Sequence, residues 1–191
     1  MKKVRGKITI AGAAALAAAG SASANPEGAP WGSANPAAAQ NCASCHFDGE
    51  AVTDSESISI FHNEAQIAGG QTVDLYIQFK NPDNQKAGFQ IISSAGKFSS
   101  EYQDIEANGA QARSVAPRNN ASWPEMVGTQ ISSDVVMWKL RWTPPEKSDD
   151  QVTFWIAVNE SNDDQSPFGD QVHFKTIVLS VSQNFRLLPP L

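Results

Sequence analysis

From Ser55 onward, apolar and polar residues alternate with a period of two, the spacing that puts successive side chains on opposite faces of a β-strand. Ser57-Ile58-Ser59-Ile60 is the first such run. In residues 72–79, Val73, Leu75, Ile77 and Phe79 share one face. Gly88-Phe89-Gln90-Ile91-Ile92 follows, and Gly96-Lys97-Phe98 leads into a loop. Gly69-Gly70 and Asn81-Pro82-Asp83-Asn84 supply the turns. Residues 101–122 read as polar and irregular. The clearest strand is 135–142, with Val136, Trp138, Leu140 and Trp142 on one face and Val135, Met137, Lys139 and Arg141 on the other. Thr143-Pro144-Pro145 stops it. Residues 152–158 form a near-continuous apolar strand, and residues 172–181 close the pattern. No long run has helical periodicity. Roughly six to eight short strands with turn clusters between them predict an all-β fold, an antiparallel immunoglobulin-like β-sandwich. Trp138, Trp142 and Trp155 sit inside strand patterns and are expected in its core.

The first residues are of another kind. Met1-Lys2-Lys3-Val4-Arg5-Gly6-Lys7 is a positive n-region, residues 8–20 are apolar and alanine-rich, and Ala22-Ser23-Ala24 is a small-residue cleavage site. This is the pattern of a secretory signal peptide over residues 1–24. Its apolar run is too short to span a bilayer, and no other stretch is long and apolar enough to do so. Residues 25–54 read as a flexible lead-in, rich in Pro, Gly, Ala and Ser over 25–40, followed by a C-x-x-C-H attachment segment; residues 55–191 are the sandwich domain. The expected product is exported, to the periplasm, the cell surface or the medium.

The whole chain of 191 residues carries a formal charge of −6. Residues 1–24 contain four basic residues and no acidic one, so the remainder carries 10 Lys and Arg against 20 Asp and Glu, a net charge of −10. Such a surface repels nucleic acid and anionic lipid and favours a basic partner. There are two cysteines in all, too few to staple a domain, so apolar packing must hold the fold.

Both cysteines lie in Asn41-Cys42-Ala43-Ser44-Cys45-His46-Phe47, a C-x-x-C-H pattern. Two thiols three positions apart sit on one side of a single turn and can add to the two vinyl groups of one porphyrin. The imidazole that follows then lies under the iron. The pattern points first to one covalently attached haem c, with Cys42 and Cys45 as thioether anchors and His46 as proximal ligand. A local disulfide or thiol-exchange pair competes with this, as does zinc, which needs four ligands in a structural site. A signal peptide fits haem attachment, which in bacteria takes place outside the cytoplasmic membrane.

For the sixth position on the iron, His173 and His62 are the other histidines and the first candidates; Met126 and Met137 are the further ones, and an open position is a separate alternative. Trp31 and Trp123, in loops, are candidates for contact with haem. Asp163, Asp164 and Asp170 could supply oxygen ligands to calcium, although their spacing matches no calcium loop and suits a solvated acidic turn. No nucleophile elbow, metalloprotease helix or phosphate loop occurs, so no enzyme is expected.

In order, Cys42-Ala43-Ser44-Cys45-His46, Gly70-Gln71-Thr72-Val73-Asp74-Leu75, Ala87-Gly88-Phe89-Gln90, Trp138-Lys139-Leu140-Arg141-Trp142-Thr143-Pro144-Pro145, Val152-Thr153-Phe154 and Ser166-Pro167-Phe168-Gly169-Asp170 form a series. Through it the chain resembles bacterial exported proteins in which C-x-x-C-H precedes a β-sandwich like the amino-terminal domain of reelin, the Reeler domain. The resemblance spans most of residues 42–182. It implies an immunoglobulin-like sandwich and haem binding, and no catalytic reaction. The function expected is therefore that of an exported mono-haem cytochrome-like protein passing electrons to a redox partner. The alternative is a non-enzymatic extracellular binding or adhesion module with a Cys42–Cys45 disulfide.

Overall fold

A computed structural model describes residues 28–81, 83, 85–119, 134–147, 151–162, 164 and 166–182. Ten strands are described: β1 Ile58–His62, β2 Ile67–Ala68, β3 Val73–Lys80, β4 Lys86–Ser93, β5 Lys97–Ser99, β6 Ile105–Asn108, β7 Gln111–Ser114, β8 Val135–Thr143, β9 Gln151–Ser161 and β10 Gln171–Ser182. They build two sheets, of order β1-β3-β8-β5 and β2-β10-β9-β4-β7-β6. All named pairings are antiparallel except β2 with β10. The expected all-β antiparallel sandwich is what the chain forms.

The alternation in β3 and β8 sets their register. Val73, Leu75, Ile77 and Phe79 stand opposite Trp142, Leu140, Trp138 and Val136. All eight are buried, in one core with Phe89, Ile91, Val152, Phe154, Ile156 and Val158 of the facing sheet. A one-residue slip would turn every one of these side chains to the wrong face, so this register is strongly specified. Two aromatic pairs bridge the sheets. Trp142 and Phe154 meet edge-on with centroids 4.9 Å apart, and Phe89 and Trp138 lie 5.0 Å apart.

Three features depart from the sequence reading. β5 pairs with the end of β8 where a loop was expected. β6 and β7 form a hairpin within the stretch read as irregular. Only Ile105 of β6 is buried, and β7 buries just Ala112 and Ser114, so little apolar alternation marks either strand. Trp155 is half-buried and stands opposite Thr176 on the outer face of the six-stranded sheet, outside the core.

That outer face is not bare. Ala157, Val172 and Phe174 are buried there beneath Ala34, with Cys42, Ala43, Ala51 and Ile92 packed around them. Residues 28–54, expected as a lead-in, supply most of this cover. The near-continuous apolar run of β9 follows from it: Val152, Phe154, Ile156 and Val158 face the core while Ala157 faces the cover. The chain then leaves along the edge of β10. Val52 N–H donates to Val172 C=O, Phe174 N–H to Val52 C=O and Ser55 N–H to Phe174 C=O, each at 2.8 Å, before β1 begins in the other sheet.

Candidate functional site

Cys42–Ser44 form a single 3-10 turn. Asn41 caps it: its side chain accepts from the Ala43 N–H at 3.0 Å, and the Ser44 hydroxyl accepts from the Asn41 N–H at 3.2 Å. This reciprocal pair uses two of the donors that a helix start leaves unpaired. The His46 N–H closes the turn on the Cys42 carbonyl at 3.2 Å. The turn therefore presents Cys42, Cys45 and His46 together, as their spacing implies.

The two thiols differ. Cys45 is exposed, and Cys42 is half-buried against the outer-face cluster; neither is in a disulfide. Burial, with the Cys45 thiol nearby as a smaller cause, pushes the Cys42 thiol up to about 12. A thiol held so far from its thiolate form is a poor exchange nucleophile.

His46 is oriented from the far end of the chain. Its Nδ1 lies 2.7 Å from Oδ2 of Asp170, whose side chain is 2% exposed. The same oxygen accepts from Asn159 Nδ2 at 3.0 Å. Asp170 follows the Ser166-Pro167-Phe168-Gly169 turn, where Gly169 has φ of +78° and its N–H is capped by Asp48 at 3.1 Å. With Nδ1 engaged, no described group bonds Nε2. Beside this pair, Phe47 and Phe168 stack edge-to-face at 5.5 Å and are 52% and 54% exposed.

The other proposed ligands lie elsewhere. His173 points to the core side of β10, opposite the face that carries the C-x-x-C-H turn. Its ring meets Phe79 of the other sheet at 4.9 Å, and its Nδ1 is 3.0 Å from the Ser55 hydroxyl. Glu160 lies 3.5 Å from its Nε2, an ion-pair distance without hydrogen-bond alignment. His62 is at the opposite end of the sandwich, lining an open cleft with Ile67, Val181 and Ser182. The nine residue steps of β10 from Val172 to Val181 put it roughly 30 Å from the C-x-x-C-H turn, at about 3.3 Å per residue. Met137 is buried on the outer side of the four-stranded sheet, where its carbonyl accepts from Arg118. Trp31 lies under the Arg113 guanidinium, 4.5 Å from the ring centre. Met126, Trp123, Asp163 and the expected signal peptide over residues 1–24 fall outside the described residues. Among the described residues, no three His, Cys, Asp or Glu side chains cluster to hold a metal ion, and no helix is long and apolar enough to cross a membrane.

Asp170 is the member of the site that the sequence reading missed. It appeared there among three acidic residues weighed for calcium and assigned to a solvated acidic turn, whereas Asp170 is buried. Separated from His46 by 124 positions, it leaves no local signal of the pairing.

An antiparallel β-sandwich with a C-x-x-C-H turn docked on the outer face of its larger sheet is the class that fold and site define. Among solved structures the chain is similar to the Reelin-N domain of F-spondin, with 12% identity over 72% of this chain and 95% of that one and a TM-score of 0.50. It is also similar to the reeler domain of human F-spondin, with 11% identity over 71% and 96% of the two chains and a TM-score of 0.48. The first likeness supports a Reeler-like sandwich, and at such identity it speaks of fold alone. No family model matches the sequence, and no curated protein matches it.

Proposed function

We propose that the chain is an exported protein that carries one covalent haem c on a Reeler-like sandwich and passes single electrons to a basic partner. The observation that carries this reading is the capped turn holding two free thiols and an imidazole whose Nδ1 is engaged and whose Nε2 is free. A ligating imidazole commonly has its second nitrogen tied to a carboxylate or carbonyl in this way. The haem, once bound, supplies an iron that alternates between ferrous and ferric states. Cys42 and Cys45 would hold the macrocycle through two thioethers, Cys45 from the exposed side of the turn and Cys42 from the half-buried side. His46 would hold the iron through Nε2. Phe47 and Phe168 offer apolar surface beside it. The net charge of −10 outside the signal peptide favours a positively charged redox partner over nucleic acid or anionic lipid. The reading includes no catalytic reaction.

The packing of Cys42 favours a second reading, a haem-free binding module in which the two cysteines close a local disulfide. Mass spectrometry of the exported, mature protein separates the two. Added mass equal to one haem, with a reducible absorption spectrum that survives acid-acetone extraction, is the expected result. A colourless chain two hydrogens lighter than its sequence would leave only the second reading.

A further inference from the structure

We propose that Asp170 is the positioning residue of the haem site: its carboxylate fixes the His46 proton on Nδ1, leaves Nε2 as the ligating nitrogen and strengthens it as a donor. The proposal rests on the haem reading above. The imidazole contact is 2.7 Å, the length of a charge-assisted hydrogen bond. The carboxylate is buried, and among the described residues its one other partner is the neutral amide of Asn159, so the imidazole is the only described titratable group paired with it. Its second oxygen, Oδ1, is buried with no hydrogen bond. Tying a turn to a sheet needs one acceptor, which an amide would provide without burying a charge. A buried carboxylate with an unpaired oxygen costs more than that task requires.

Its placement is also rigid. Asp48 caps the Gly169 N–H, Asn162 donates to the Phe168 carbonyl at 3.3 Å, and the next residue enters β10. The oxygen is thus held by the sandwich, while His46 belongs to the docked segment. A strong acceptor on Nδ1 gives the imidazole partial imidazolate character. That raises the electron density at Nε2 and favours the ferric state.

The test uses the full chain and its Asp170→Asn and Asp170→Glu variants, each produced with and without haem-attachment machinery. Mass is read first. In the haem-free chain, 15N NMR of neutral His46 is expected to show the proton on Nδ1; Asp170→Asn, whose amide oxygen is a weaker acceptor, weakens that preference and Asp170→Glu restores it. In the loaded protein, Asp170→Asn lowers the iron–imidazole stretching frequency and raises the midpoint potential, and Asp170→Glu reverses both. A neutral His46 protonated on Nε2 in the parent chain overturns the proposal, as do a stretch and a potential that ignore the Asn substitution. If no haem is attached at all, the functional reading fails and takes this proposal with it. The mass shows that failure before Asp170 is tested, so the two failures are not confused.

Discussion

Gln90 provides a test of whether the C-x-x-C-H segment is docked as described. It is 1% exposed on the outer face of β4, and its side chain reaches the segment twice. Its Oε1 accepts from the Ala34 N–H at 2.8 Å, and its Nε2 donates to the Pro30 carbonyl at 2.8 Å. Gln90→Met keeps the length of the side chain and removes both bonds. The two losses are unequal. The Pro30 carbonyl still accepts from the Ser33 hydroxyl at 2.8 Å, so that loss is small. Ala34 is fully buried, and Gln90 is the acceptor for its N–H, so the substitution leaves a buried donor unpaired. Such a group costs about 1–3 kcal/mol, and about 2 kcal/mol is the expected weakening of docking. At about 1.4 kcal/mol per tenfold, the segment should open about 30-fold more often. The readout is amide exchange at Cys42, whose N–H donates to the Ser33 carbonyl and does not itself contact Gln90. Its protection should fall by that factor while the amides of Leu75 and Ile156 in the core keep theirs. Unchanged protection at Cys42 would refute the docking argument, and so would equal losses at all three sites, which would mean that the whole sandwich had been weakened.

Four other outcomes are expected. In haem-free, reduced protein at pH 8, iodoacetamide should modify Cys45 and spare Cys42 until the chain unfolds, read by peptide mass mapping. Because the folded Cys42 thiol is raised to about 12 from 9.0, the stability it contributes is complete below pH 9 and is lost as pH rises from there toward 12, so the denaturation midpoint should fall over that window. Gly96→Ala should cost about 3 kcal/mol in urea unfolding, since Gly96 has φ of +86° and an added Cβ would lie 2.7 Å from the Thr143 carbonyl oxygen and 2.5 Å from Trp142 Nε1. Trp138→Ala, which empties a fully buried site between the sheets, should cost about 3–5 kcal/mol in the same assay.

What could be read from the sequence was whatever a period of two encodes. Val73 to Phe79 and Val136 to Trp142 announce their faces, and the structure pairs those faces residue for residue. β5, β6 and β7 were not legible because short strands with one or two buried residues carry almost no alternation. Trp155 misled because an indole in an apolar run resembles a core residue, whereas here the run is apolar on both faces. The C-x-x-C-H turn was legible because its chemistry is local, three side chains on one turn. Its partners were not. Asp170 reaches His46 from across the sheet with Asn159 bonded to it, Gln90 reaches Pro30 and Ala34 upstream of the turn, and nothing in their neighbours' pattern distinguishes a buried acid or amide from an exposed one. For the same reason His62 and His173 read alike as candidates for the sixth position, although one lies at the far end of the sandwich and the other on the inner side of β10.

The segment is held at several places, and their order along the chain determines what each can control. Gln90 grips Pro30 and Ala34, Asp170 grips His46, and Val52 pairs with β10 on the way to β1. Releasing Gln90 loosens the chain upstream of the turn, where Arg113 still holds the Ala29 carbonyl and Trp31, while His46 stays tethered by Asp170 and by the Val52 pairing six residues on. Closing so short a tether costs little entropy, so the imidazole should keep its orientation when the upstream grip is lost. The two perturbations should therefore separate. Gln90→Met changes exchange at Cys42 and leaves the His46 tautomer alone, whereas Asp170→Asn changes the tautomer in a segment that Gln90 still holds. If Gln90→Met moved the His46 proton as well, the turn and its anchor would be a single cooperative unit, and the sandwich would control the imidazole through docking as a whole and not through one carboxylate.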